Sequence, residues 1–127
     1  MEARLLCVVV LAKNYDRLIR WYRKTFRMKT RMVVTEGFDW TELERPGLRI
    51  GFAPAKQQGV KLGRRRSNAV VIHLTTPNVR GLFKRVKRAG GGVRFGPSYD
   101  PKGKYWCGSF TDIEGNEIWV IDLAQES

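Results

Sequence analysis

A chain of 127 residues fits one domain and is long enough to bury a sizeable core. It contains no run of about 18 apolar residues, which excludes a transmembrane helix. The N-terminus lacks the basic, apolar, small-residue order of a signal peptide, so a cytoplasmic location with no membrane partner is expected. The formal charge of +12, from 24 Lys and Arg against 12 Asp and Glu, favours neutral or anionic partners over cations, and nucleic acid is expected only as a weak, non-specific attraction.

In chain order, residues 5–11 form an uninterrupted apolar, β-branched run, the pattern of a strand buried on both faces. Asn14 then caps a helix of about three turns, on which Tyr15, Leu18, Ile19, Tyr22 and Phe26 make an apolar stripe. Strands follow at 28–36, 40–44 and 48–53, separated by turns at Gly37-Phe38-Asp39 and Arg45-Pro46-Gly47. This gives a β-α-β-β-β module over about residues 3–54. A polar linker over about 55–67 ends in Arg64-Arg65-Arg66, a triplet read as solvated rather than as a phosphate site.

The first pattern then returns over about 68–124. An apolar strand at 68–75 leads to a cap at Asn78 and a helix with Val79, Leu82, Phe83 and Val86 on its apolar stripe. An offset of 64 residues superposes Asn14 on Asn78 and Leu18 on Leu82, an internal repeat. Gly90-Gly91-Gly92 stops the helix through a left-handed cap; a phosphate loop would precede a helix rather than follow one. Strands follow at 93–99, 105–111 and 117–123, the last two joined by a hairpin turn ending in Gly115-Asn116. In the final strand both faces are apolar, Ile118 and Val120 on one, Trp119, Ile121 and Leu123 on the other, so both should be covered. Cys7 and Cys107 are read as reduced, buried thiols in strands. The fold class is α+β: two tandem βαβββ modules whose curved sheets enclose a shared cavity, helices outside, in a single domain.

The segment Asn14 to Tyr22, with the aromatic pair Trp21-Tyr22, the helix-stopping glycines, and Phe110-Thr111-Asp112-Ile113-Glu114-Gly115-Asn116 together resemble the vicinal oxygen chelate superfamily. That group includes glyoxalase, extradiol dioxygenases, fosfomycin-resistance enzymes and bleomycin-binding proteins. Ile113 stands where the family's turn usually has Pro. The resemblance implies a homodimer. It also implies that a metal-dependent member would draw ligands from the first and last strands of each module, which fall here on Cys7, Gly51, Val71 and Trp119. Of these only Cys7 offers a ligating group, so no metal and no cofactor are expected.

Gly51 and Val71 leave space beside Trp119, which describes an aromatic platform for a planar ligand; the competing reading is that Trp119 plugs the cavity as core. Trp40 and Trp106 are candidates for the same mouth. Arg49 shares the face of Gly51 and is placed either to neutralise an anionic ligand or on a solvated rim. His73 lies two residues beyond Val71 on the same side and is read as a ligand donor, a general base, a displaced metal ligand, or a core histidine bonded to a neighbour. The leading expectation is a metal-independent small-molecule binder that sequesters an aromatic, neutral or anionic compound. The alternatives are a lyase, isomerase or dioxygenase using a metal or His73, and polyanion binding through the basic helix faces.

Overall fold

The computed structural model describes residues 4–62 and 70–122. Arg64-Arg65-Arg66 and Leu123 lie outside them. The chain divides into two compact units, Met1–Arg64 and Arg65–Ser127.

The first unit runs β1 (Val8–Ala12), α1 (Tyr15–Thr25), β2 (Lys29–Val34), β3 (Trp40–Arg45) and β4 (Leu48–Pro54). The strands form one sheet in the order β1-β4-β3-β2, with β1 parallel to β4 and the other pairs antiparallel. Asn14 caps α1 through its Oδ1, which accepts the Arg17 N–H. Leu18, Ile19 and Tyr22 are buried, and Tyr22 meets Phe52 of β4 edge-on at 5.1 Å. Because Phe52 and Ile50 face the helix, strand alternation assigns Arg49, Gly51 and Ala53 to the opposite, open face. Cross-strand register carries this assignment to Val9 of β1 and to Glu42 of β3, both paired with Gly51. The polar linker begins with a turn tied to the sheet: the Ala55 N–H donates to Ala12, and Gln57 exchanges hydrogen bonds with Asp39 at 2.9 and 2.7 Å.

The second unit repeats the order as β5 (Ile72–Thr75), α2 (Val79–Arg88), β6 (Gly92–Asp100), β7 (Tyr105–Thr111) and β8 (Glu117–Ile121), with sheet order β5-β8-β7-β6. Asn78 caps α2 by accepting the Gly81 N–H at 2.9 Å. Phe83 of the helix reaches Phe110 of β7 at 5.5 Å. It also lies over Gly108, where any Cβ would collide with its ring. The hairpin between β7 and β8 is closed by Asp112, whose carboxylate accepts the backbone N–H groups of Glu114 and Asn116 and the Asn116 side-chain amide. Gly115 supplies the positive φ of 87°.

Both modules therefore have the predicted element order, with two differences. The first strand of each is shorter at its start: pairing begins at Val8 and Ile72, so Cys7 and Val71 precede the strands. Cys7 and Cys107 are free and half-buried. The two-sided burial expected of β1 and β8 is one-sided. Val10, Ile118 and Val120 are buried under the helices, whereas Val9 is 50% and Trp119 46% exposed. Each helix covers one face of its own sheet, and an apolar run cannot by itself tell a covered face from an open one. Among the described residues no helix is long and apolar enough to cross a membrane.

Phe110→Ala removes a fully buried ring from the helix–sheet contact of the second unit. It is expected to cost about 3–5 kcal/mol, read as a lower urea midpoint with an unchanged slope.

Candidate functional site

The open face of the first sheet centres on Glu42, whose side chain is 8% exposed. A buried carboxylate is costly unless paired. Here Arg31 donates from Nη1 to Oε1 at 2.9 Å and Trp40 donates from Nε1 to Oε2 at 2.8 Å. Arg31 reaches Glu42 because β2 carries one extra residue at that point: Thr30 pairs with Leu43 and Met32 with Glu42, leaving Arg31 as the bulge. The Trp40 ring lies over Gly51, so closely that a methyl there would collide with it. Glu44 continues the charge ladder, 3.8 Å from Arg31 and 3.4 Å from Arg49.

The open face of the second sheet uses the same parts. Glu117, whose side chain is 15% exposed, accepts the Ser109 hydroxyl at 2.9 Å and the Trp119 indole N–H at 2.8 Å on Oε2, and lies 3.8 Å from Arg94 through Oε1. Arg94 is again the extra residue of an edge strand, between the pairs Val93–Phe110 and Phe95–Ser109. The Trp119 and Ser109 hydrogen bonds, with a smaller contribution from Arg94, hold the Glu117 carboxyl below its ordinary value; partial burial opposes them. His73 is the direct cross-strand neighbour of Trp119, with ring centroids 5.8 Å apart and planes at 78°. It is exposed, and among the described residues it meets an aromatic edge rather than a carboxylate.

In the first unit Trp40, Arg49 and Gly51 share the open face, and Cys7 lies one residue before β1. The cross-strand neighbour of Gly51 is Val9, not Cys7. In the second unit His73 and Trp119 are brought together, while Val71 precedes β5. Trp106 is on the other face: alternation along β7 places it with Gly108 and Phe110, and the Arg80 guanidinium of α2 stacks on its ring at 4.4 Å. It does not share a mouth with Trp119. Glu42, Arg31, Arg94 and Ser109 escape a search for metal-ligand spacing. The readable trace of the clusters is Trp-x-Glu at 40–42 and Glu-x-Trp at 117–119, since two residues along a strand share a face.

These positions do not fit a divalent ion. Gly51 has no side chain and its space holds the Trp40 ring, Val71 has no lone pair, and the Trp119 indole is a donor already committed to Glu117. Among the described residues no group of three or more His, Cys, Asp or Glu is placed to hold a metal.

A duplicated βαβββ unit with a polar cluster on the open face of each sheet defines a class of small α+β protein. The sequence profile of the Glyoxalase/Bleomycin resistance protein/Dioxygenase superfamily matches residues 4–120, and the chain belongs to that superfamily. No curated protein sequence matches it. Among solved structures, it is similar to a glyoxalase/bleomycin resistance protein/dioxygenase family enzyme from Burkholderia phytofirmans PsJN, with TM-score 0.78, 13% identity, and coverage of 96% of this chain and 100% of that one. It is also similar to a mutant of the fosfomycin resistance protein FosX from Listeria monocytogenes, complexed with Mn(II) and 1S,2S-dihydroxypropylphosphonic acid; the TM-score is 0.71 at 16% identity, covering 96% and 93%. TnmS3, an antibiotic binding protein from Streptomyces sp. CB03234, aligns with TM-score 0.70 at 16% identity, covering 97% and 98%. At these identities the likeness is one of fold.

Two expectations follow from the clusters. Trp119→Phe removes the donor that contributes most to lowering the Glu117 pKa, so that pKa should rise toward the usual value of about 4.5. A depressed carboxyl pKa stabilises the fold above the unfolded value and loses that contribution as pH falls through the folded one. The stability gap between wild type and Trp119→Phe should therefore be full at neutral pH and close in acid, as measured by thermal melts across pH and carboxyl NMR titration. Gly51→Ala should displace the Trp40 ring and break its bond to Glu42, seen as a red-shifted, more quenchable tryptophan emission.

Proposed function

We propose that this protein binds a small aromatic compound, neutral or anionic, without a metal and without transforming it, as a homodimer in the cytoplasm, in the manner of a sequestering resistance protein. The observation that carries this reading is Trp119: a large ring 46% exposed on the open face yet fixed by its hydrogen bond to Glu117. An exposed aromatic already held in one orientation loses little freedom when a planar ligand stacks on it. His73 borders the ring and offers a polar group for orientation. Val9 in the first unit and Phe95 in the second, each exposed on the open face of its own sheet, are apolar area that a ligand or a second copy would cover.

The chemistry of the cluster favours binding over proton transfer. Glu117 is held ionised by its donors, and a carboxylate stabilised in its charged form is a weak base at neutral pH. Among the described residues His73 has an aromatic edge, not a carboxylate, as its neighbour. The family's metal positions are filled by groups that cannot ligate, apart from Cys7. The basic charge favours an anionic or neutral compound over a cationic one.

Native mass spectrometry of the purified protein, followed by tryptophan-quenching titrations with planar aromatic antibiotics, tests the proposal. A metal-free dimer that takes up an organic ligand is expected, with Trp119→Ala weakening binding by about tenfold or more, the scale of one lost aromatic contact. One divalent ion per site, lost together with a turnover activity on substitution of Cys7 or His73, would overturn it in favour of a superfamily enzyme.

A further inference from the structure

The first unit contains an open recess of about 760 Å³ at the β3–β4 turn; Glu44 and Arg49 of the charge ladder line it, Trp40 and Glu42 do not. Among the described residues its walls combine apolar groups, among them Leu5 and Leu48, with four cationic residues, Arg27, Lys29, Arg45 and Arg49, against the single carboxylate of Glu44. Glu44 is engaged by Arg31 and Arg49. Among the described residues no carboxylate lies within ion-pair distance of Arg27 or Lys29. Arg45 donates from Nη1 to the carbonyl of Phe26 at 2.8 Å, which fixes its guanidinium beside the end of α1.

Arg27 carries a conformational penalty that the second unit avoids. Both helices end in the same motif, with the Met28 N–H bonded to the Arg23 carbonyl in α1 and the Gly91 N–H to the Val86 carbonyl in α2. The residue inside each motif must adopt the left-handed conformation. In α2 it is Gly90, at φ 88°; in α1 it is Arg27, at φ 52°. Glycine holds this conformation without the Cβ clash that an arginine meets. The backbone alone would favour glycine at both positions; the first keeps an arginine at that cost, and the arginine lines the recess.

We propose that this recess is a binding site for a small amphipathic anion, its carboxylate, sulfonate or phosphate group held by Arg27 and Lys29 and its apolar body lying against Leu5 and Leu48. The site shares no residue with the Trp119 platform and does not depend on it. Arginine and lysine give an anion charge-assisted hydrogen bonds, and the apolar wall selects against fully hydrated inorganic ions.

The test compares octanesulfonate, an aliphatic anion with no ring to stack on Trp119, with uncharged octanol by isothermal titration calorimetry. The sulfonate should bind saturably below about 1 mM and more weakly as salt rises. Arg27→Gly and Lys29→Gln should each reduce its affinity by roughly tenfold, the scale of one charge-assisted hydrogen bond. Neither should affect the uncharged analogue. Trp119→Ala should leave sulfonate binding unchanged, which separates this site from the platform. Arg27→Gly should also raise the Tm, because glycine relieves the left-handed strain. The proposal is overturned by an unchanged sulfonate affinity in both basic-residue variants, by equal binding of the two probes, by loss of binding in Trp119→Ala, by absence of saturable binding, or by a lower Tm in Arg27→Gly.

Discussion

A carboxylate placed on the open face of an apolar sheet sets the terms for everything around it. Glu42 and Glu117 each lose much of their hydration, and a carboxylate so placed must be given donors by the protein. In both modules one donor is an indole N–H two residues away on the same strand; the second is Arg31 of the edge strand for Glu42 and the Ser109 hydroxyl for Glu117, with the edge-strand Arg94 at ion-pair distance. The indole is useful because it brings one donor and no acceptor, so its ring can lie flat on the sheet once the N–H is satisfied. The orientation of Trp40 and of Trp119 is thus a consequence of the charge beside it.

The edge strands show how the arginines arrive. A regular strand would send successive side chains to opposite faces. One extra residue in β2 and the first of two in β6 break that alternation, and in both places that residue is an arginine on the side of the carboxylate; the second irregularity of β6 falls between Phe95 and Ser98. The bulges also interrupt the edges of both sheets, which limits their capacity to pair with other strands. The two modules then diverge in where the tryptophan is rooted. In the first it stands on β3 and covers Gly51 of β4; in the second it stands on β8 itself, beside His73. The glycine of the first module and the tryptophan of the second occupy corresponding strands, so one repeat solves the same charge problem with a half-buried ring laid over a glycine and the other with an exposed one.

Much of the fold was legible because it rests on local rules. Asn14 and Asn78 cap helices whose apolar stripes recur at helical spacing, and Asp112 with Gly115 makes a turn that needs both a side-chain acceptor and a positive φ. The 64-residue repeat then fixed the second module from the first. What sequence could not supply was the facing of individual strand residues around a bulge, since a single inserted residue leaves no trace in composition. Trp106 shows the same limit from the other side: its aromatic character suggests a ligand surface, but its place in the β7 register turns it toward α2, where Arg80 stacks on it. A metal-ligand pattern of His and Glu does not point to Glu42 and Glu117, which belong to a different pattern, one of alternation with tryptophan.

The hydrogen bonds that hold Trp119 also constrain what Glu117 can do. A general base must keep a lone pair free and a pKa near the working pH. Glu117 directs its oxygens to Ser109, Trp119 and Arg94, and these lower its proton affinity. Freeing the carboxylate for chemistry would release the indole, and keeping the indole fixed stabilises the carboxylate in its ionised form. Orientation of the ring and basicity of Glu117 are alternatives for one set of hydrogen bonds, and the arrangement in this protein is the one that orients the ring.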